Sequence, residues 1–87
     1  METRVVDVAA ARRYELYGND VLVGWLTYAD QDGVRVFVHT EVDPKHTGQG
    51  LANVLVQGAL DDLRERGVAY VPVCPFVREY LRRHPQP

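Results

Sequence analysis

Val34-Arg35-Val36-Phe37-Val38-His39-Thr40-Glu41-Val42 runs into Asp43-Pro44-Lys45-His46-Thr47-Gly48-Gln49-Gly50, and that turn opens a segment of helical period from Leu51 to Arg66. Period two in the first part predicts a strand with Val34, Val36, Val38, Thr40 and Val42 on one face. Arg35, Phe37, His39 and Glu41 then share the other. In the last part Leu51, Ala52, Leu55, Val56, Ala59, Leu60 and Leu63 form one apolar stripe, opposite Asn53, Gln57, Asp61, Arg64 and Glu65. A strand that feeds a glycine-containing loop at a helix N-terminus leaves unpaired backbone N–H groups where the helix dipole favours negative charge. Gly48 and Gly50 let an anion approach the main chain closely, and Lys45 and His46 add side-chain donors. The junction therefore reads as a cradle for a phosphate-bearing cofactor.

Spacing narrows the cofactor. A nucleotide P-loop needs four residues between its glycines followed by Lys-Ser/Thr, and the dinucleotide fingerprint needs a third glycine and a distant acid; neither is present. What stands here is Lys45-x-x-Gly48-x-Gly50-Leu51-Ala52 after an apolar strand carrying Glu41. This resembles the pyrophosphate loop of the GNAT acyl-CoA N-acetyltransferases, although Lys45 stands where that loop usually begins with Arg or Gln. With Cys74-Pro75-Phe76 near the end, the resemblance is to small single-domain GNAT-like proteins with a cysteine after the last strand. It spans Tyr14 to His84.

Eighty-seven residues suit one domain over residues 1–87, with 46% hydrophobic and 25% charged residues as in an ordinary globular protein. No segment approaches the roughly 18 uninterrupted apolar residues of a membrane span, and no apolar run follows Met1-Glu2-Thr3-Arg4. These features point to the cytoplasm, and a single cysteine fits a reducing compartment. A net charge of −2 with scattered Arg and Lys argues against nucleic acid as a partner. Three separated histidines and one cysteine lack metal-ligand spacing, so no metal is expected.

Residues 1–11 hold Val5, Val6, Val8 and an alanine run without a clear period and read as a frayed start. Arg12 to Tyr17 reads as a strand ending at a Gly18-Asn19-Asp20 turn. Val21 to Ala29 reads as a strand apolar enough on both faces to be covered. Asp32-Gly33 marks the next hairpin. Gly58 inside the long helix permits a close approach, Asp62 can pair with Arg66, and Gly67 stops the helix. Val68 to Val73 follows as a strand, parallel to Val34–Val42 by a right-handed crossover. Pro72 has no N–H to give, so pairing should fail near Cys74 and open a crevice. Pro75 to Arg83 closes the chain as a helix with Phe76, Val77, Tyr80 and Leu81 on its apolar side. The expected fold is α/β: a mixed sheet of about four strands, antiparallel on its N-terminal side with a splayed parallel pair, and two helices.

The resemblance implies acetyl-CoA as cosubstrate, bound by Val42, Lys45, Thr47, Gly48, Gln49, Gly50, Leu51 and Ala52, with its pyrophosphate on the backbone N–H groups from Gly48 to Ala52. Its acyl-pantetheine arm would lie in the splay beside Cys74 and Phe76. Acetyl transfer to an amine needs a base, a polarised carbonyl and a proton for the leaving thiolate. Glu41 is the candidate base and His39, on the same strand face, a candidate relay. Cys74, between a strand end and a helix N-terminus, is a candidate acetyl acceptor, general acid or pocket wall. Tyr80 is a second candidate acid, as tyrosines are in many members of the family. Where larger GNAT enzymes place helices between their first two strands, Tyr17-Gly18-Asn19-Asp20-Val21 leaves room only for a turn. The acceptor side should be open, to a small-molecule or protein amine, in a monomer or small homo-oligomer. The rival reading is a noncatalytic acyl-CoA-binding or protein-interaction module.

Overall fold

The computed structural model describes residues 1–87. Its order is β1 (Thr3–Val8), β2 (Arg13–Gly18), β3 (Val21–Gln31), β4 (Val34–Val42), α1 (Leu51–Arg66), β5 (Ala69–Pro72) and α2 (Pro75–Arg83). The strands form one sheet in chain order, antiparallel from β1 to β4 and parallel between β4 and β5. The sheet thus has five strands rather than about four. The additional strand is Thr3–Val8, the segment expected to fray. Its backbone is paired along its whole length with β2, from Thr3 opposite Gly18 to Val8 opposite Arg13. The reversal between them is a single 3₁₀ turn at Ala9–Ala11 closed by Arg12 in the left-handed region, φ 53°.

The other hairpins follow the residues that favour positive φ. Asn19 and Asp20 adopt φ 49° and 67°, and Asp32 and Gly33 adopt 52° and 79°. Consecutive left-handed residues make the type I′ turns whose twist matches that of the strands they join.

Both helices pack on one face of the sheet, and a single core of Tyr14, Leu16, Val23, Leu26, Tyr28 and Phe37 meets Leu51, Leu55, Val56, Ala59, Leu60 and Leu63 of α1 and Val77 and Tyr80 of α2. Each fully buried Leu or Phe contributes roughly 1.5–3 kcal/mol of transfer free energy. The opposite face carries no helix, so the expectation that β3 is covered on both sides is corrected. Leu22 and Trp25 are half-exposed there, and Trp25 keeps its ring under the Arg13 guanidinium, 4.9 Å from the centroid.

A β-bulge decides which β4 residues face which side. Thr27 pairs with His39 but the next residue, Tyr28, pairs with Phe37, so Val38 is the extra residue. Arg35 and Phe37 lie on the core face. Past the bulge the alternation reverses, and Thr40 and Val42 join them there. His39 and Glu41 fall on the open face. The unbroken period-two reading, which grouped Phe37 with His39 and Glu41, is corrected by that one inserted residue.

At the end of the sheet opposite the loop, Arg35 is buried, with 5% of its side chain exposed. It donates from Nε and Nη2 to Asp30 at 2.8 and 2.9 Å, and from Nη1 to Asp7 at 3.0 Å and to the Tyr14 hydroxyl at 2.9 Å. Tyr28 donates to Asp7 and Tyr14 to Asp62, and Arg66 of α1 reaches both carboxylates. The network ties β1 to β4 and α1.

Candidate functional site

The loop between β4 and α1 is held from both sides. The Asp43 N–H donates to the carbonyl of Val23 in β3 at 2.7 Å, and the Asp43 carboxylate accepts from the Lys45 N–H at 2.9 Å, capping a 3₁₀ turn at Pro44–His46. Gly48 and Gly50 then take φ 86° and 71°. An L side chain at either position is strained. Gly50 is the N-cap of α1, with no side-chain cap and no acidic residue in the first turn. The amides of Gly48, Gln49 and Gly50 find no acceptor in the chain, and the first-turn amides of α1 have none within the helix. A Cβ added at Gly48 or Gly50 would meet no atom within 4 Å. The chain therefore presents a row of unanswered N–H donors at the positive end of a helix of 16 residues. That is the donor set a pyrophosphate requires.

These amides border a cavity of about 280 Å³, lined by Val42, His46, Thr47, Gly48, Gly50, Leu51, Ala52, Asn53 and Phe76. Among the residues expected from sequence, the structure brings Val42, Thr47, Gly48, Gly50, Leu51, Ala52 and Phe76 together on this cavity. Lys45 and Gln49 stand exposed on the same loop, outside its lining. His46 adds an imidazole whose Nδ1 is shielded from solvent and has no hydrogen-bond partner. Asn53, in the first turn of α1, had no sequence signal beyond being a polar residue beside the cradle.

The splay that Pro72 predicts is present. β5 stays in register with β4 only from Val34 opposite Ala69 to Phe37 opposite Pro72. The N–H groups of Val73 and Cys74 then both donate to the carbonyl of Phe37, at 3.0 and 2.9 Å, and the chain turns into α2. β4 runs on to Val42 with no strand on that side. Cys74 sits where the two strands part. It is 3% exposed and is the N-cap of α2, and its Sγ lies 3.3 Å from Oγ1 of Thr40. Thr40 was assigned to the face away from Phe37 by sequence; the bulge brings it to the sulfur.

The polar candidates fall on two sides. His39 and Glu41 share the open face, Nε2 to Oε2 3.6 Å, with 61% and 55% of their side chains exposed. Cys74 and the cavity are on the helix side, so β4 itself stands between candidate base and candidate sulfur. Tyr80 belongs to neither group. Its hydroxyl donates to Oε1 of Gln57 on α1, and burial, followed by the charge of Asp61, pushes the phenol above its ordinary pKa. It borders a separate groove with Thr3, Val5 and Gly58.

The family model of the GCN5-related N-acetyltransferases matches residues 13–87. The chain belongs to the GCN5-related N-acetyltransferase family. Solved structures share the fold at low identity. The ribosomal-protein-alanine N-acetyltransferase of Brucella melitensis biovar Abortus 2308 superposes with a TM-score of 0.65 at 22% identity, over 86% of this chain and 61% of that one. A predicted acetyltransferase with acetyl-CoA from Clostridium acetobutylicum gives 0.60 at 12%, over 93% and 62%. A GCN5-related N-acetyltransferase from Ralstonia eutropha JMP134 gives 0.59 at 17%, over 93% and 63%. The chain thus spans about three fifths of the length of these GCN5-related and similar structures. No curated protein matches it.

Proposed function

We propose that the chain binds acetyl-CoA at the α1 N-terminus and transfers the acetyl group to a primary amine that arrives from the open face of the sheet. The observation that carries this reading is the row of unanswered amides from Gly48 into the first turn of α1, bordering a cavity that Val42 at the end of β4 and Phe76 in the first turn of α2 also line, with Cys74 outside the lining. The amides hold the pyrophosphate, and Lys45 and His46 supply positive or donor groups beside it. The acyl arm follows the core face of β4 from Val42 toward Thr40 and Cys74.

In the transfer itself the amine nitrogen bonds to the thioester carbon as the carbon–sulfur bond breaks. The amine proton passes to the Glu41 carboxylate, directly or through water and His39. The leaving thiolate takes a proton from Cys74 Sγ, which recovers one from solvent, so the step is balanced without another reactant. The exposure of Glu41 and His39 on a face with no helix also supports a second reading, a module that binds acyl-CoA without transferring it.

Incubation with acetyl-CoA and a panel of amines, including peptide N-termini and lysine side chains, followed by mass spectrometry, separates the two. Acetylated acceptor that is lost in both Cys74→Ala and Glu41→Gln, with CoA binding retained, supports transfer. CoA binding without any acetylated product supports the module. Acetyl found on Cys74 in the absence of acceptor would replace direct attack by an acetyl-enzyme route.

A further inference from the structure

The backbone of Cys74 is fixed at both ends. Its N–H donates to the Phe37 carbonyl at 2.9 Å, and its own carbonyl accepts from the Arg78 N–H at 3.1 Å as the first turn of α2 begins. What these bonds leave free is the rotation that aims the sulfur. The one polar side chain in reach of Sγ is Thr40, at 3.3 Å, and Thr40 Oγ1 has no other hydrogen-bond partner. Thr40 is there because Val38 is bulged; an unbroken strand would turn His39 toward this side. The bulge is itself pinned, because the Thr27 hydroxyl donates to the carbonyl of His39 at 3.3 Å.

We infer that Thr40 is the positioning residue for the Cys74 sulfur: its hydroxyl fixes the rotamer that points Sγ into the splay, and it donates to the sulfur whenever the sulfur is anionic. The inference rests on the proposed use of Cys74 in acetyl transfer. While the thiol is neutral, either group can be the donor across 3.3 Å. Once the sulfur has lost its proton, only the hydroxyl can donate, and a hydrogen bond to a charged acceptor is stronger than one between neutral partners. The contact therefore holds the sulfur in one orientation whether it keeps its proton or gives it up.

Thr40→Val keeps the shape and β-branching of the side chain and removes only the hydroxyl, while Thr40→Ser keeps the hydroxyl. The readout is the rate of Cys74 alkylation by iodoacetamide at pH 7 in the native protein, without CoA, with Cys74→Ser as the blank. The expected result is a roughly ten-fold slower rate in Thr40→Val and a near wild-type rate in Thr40→Ser, the size expected when one hydrogen bond to a charged group is lost. Circular dichroism and a thermal melt establish that both variants are folded. Equal rates in wild type and Thr40→Val, or a Thr40→Ser protein as slow as the valine variant, would overturn the inference. So would a wild-type thiol that iodoacetamide does not reach, since a sulfur sealed from the splay cannot meet a thioester. None of these outcomes depends on acetyl-CoA. Calorimetry with CoA on the wild-type protein tests the proposed function separately.

Discussion

Replacing Arg35 by methionine removes the charge that joins β1, β4 and the β3–β4 hairpin, while keeping an unbranched chain to fill the space. Arg35 is buried against the ring of Tyr28, 3.7 Å from its centroid, and makes four hydrogen bonds. Breaking a buried ion pair from one side costs about 3–5 kcal/mol. The low end applies, because Asp30 has 54% of its side chain exposed and Asp7 keeps Tyr28 and Arg66. A loss of about 3 kcal/mol lowers the melting temperature of a domain this size by roughly 12–24 °C. The pH dependence is also set. For Asp30 the hydrogen bonds from Arg35 hold the carboxyl below its ordinary value. For Asp7 burial pulls upward, and the bonds from Tyr28 and Arg35 outweigh it, leaving the carboxyl low as well. A carboxyl depressed in the folded state contributes stability that is complete above its unfolded pKa of about 4 and is lost as pH falls through the folded value. The difference between wild type and Arg35→Met should accordingly be constant from pH 5 to 7 and shrink toward pH 2. Urea melts followed by circular dichroism across that range measure it. A loss below about 1 kcal/mol at neutral pH, or a difference that grows as acid is added, would refute the assignment of this network as a stabilising one.

Gly58→Ala should destabilise the protein by about 1 kcal/mol, because the added Cβ falls 2.7 Å from Val5 Cγ2 and the overpacking, about 1–3 kcal/mol, exceeds the helix-propensity gain of about 1. In a Val5→Ala background the cost should shrink without changing sign, because the Cβ that alanine keeps still lies 2.8 Å from the added one; chemical denaturation of the four proteins checks this partial coupling. Lys45→Ala should weaken CoA binding several-fold at low salt and by little at about 0.5 M, since an exposed charge is screened; calorimetry at two salt concentrations reads this.

The parts of the fold that were legible in the sequence are those encoded by neighbours. Gly67 with φ 67° ends α1 where expected, Pro75 opens α2, and the Asp32-Gly33 and Asn19-Asp20 turns take the positive φ values that such residues favour. Pro72 marked the splay because a missing N–H is a local fact. What was not legible depends on partners far along the chain. Thr3–Val8 is a strand because β2 offers it a full edge, and its turn is made of three alanines and Arg12, which carry none of the usual turn chemistry. The Val38 bulge leaves no mark in a run of alternating valines, yet it exchanges Thr40 for His39 beside Cys74. In the candidate site the loop and its glycines were readable from spacing, whereas the pairing of Thr40 with Cys74 required the register of β3 on β4.

The central claim is that the backbone between Gly48 and Ala52 holds the pyrophosphate of CoA, and Gly50→Val tests it most directly. Gly50 borders the cavity at φ 71°, and its missing side chain would project into space free of protein. The backbone strain of a β-branched residue there, about 1–2 kcal/mol, should leave the protein folded. Titration calorimetry with CoA is expected to give clear binding to wild type and at least a ten-fold weaker affinity for a Gly50→Val protein whose circular dichroism is unchanged. Equal affinity for the two, or no binding of CoA to wild type, would contradict the account.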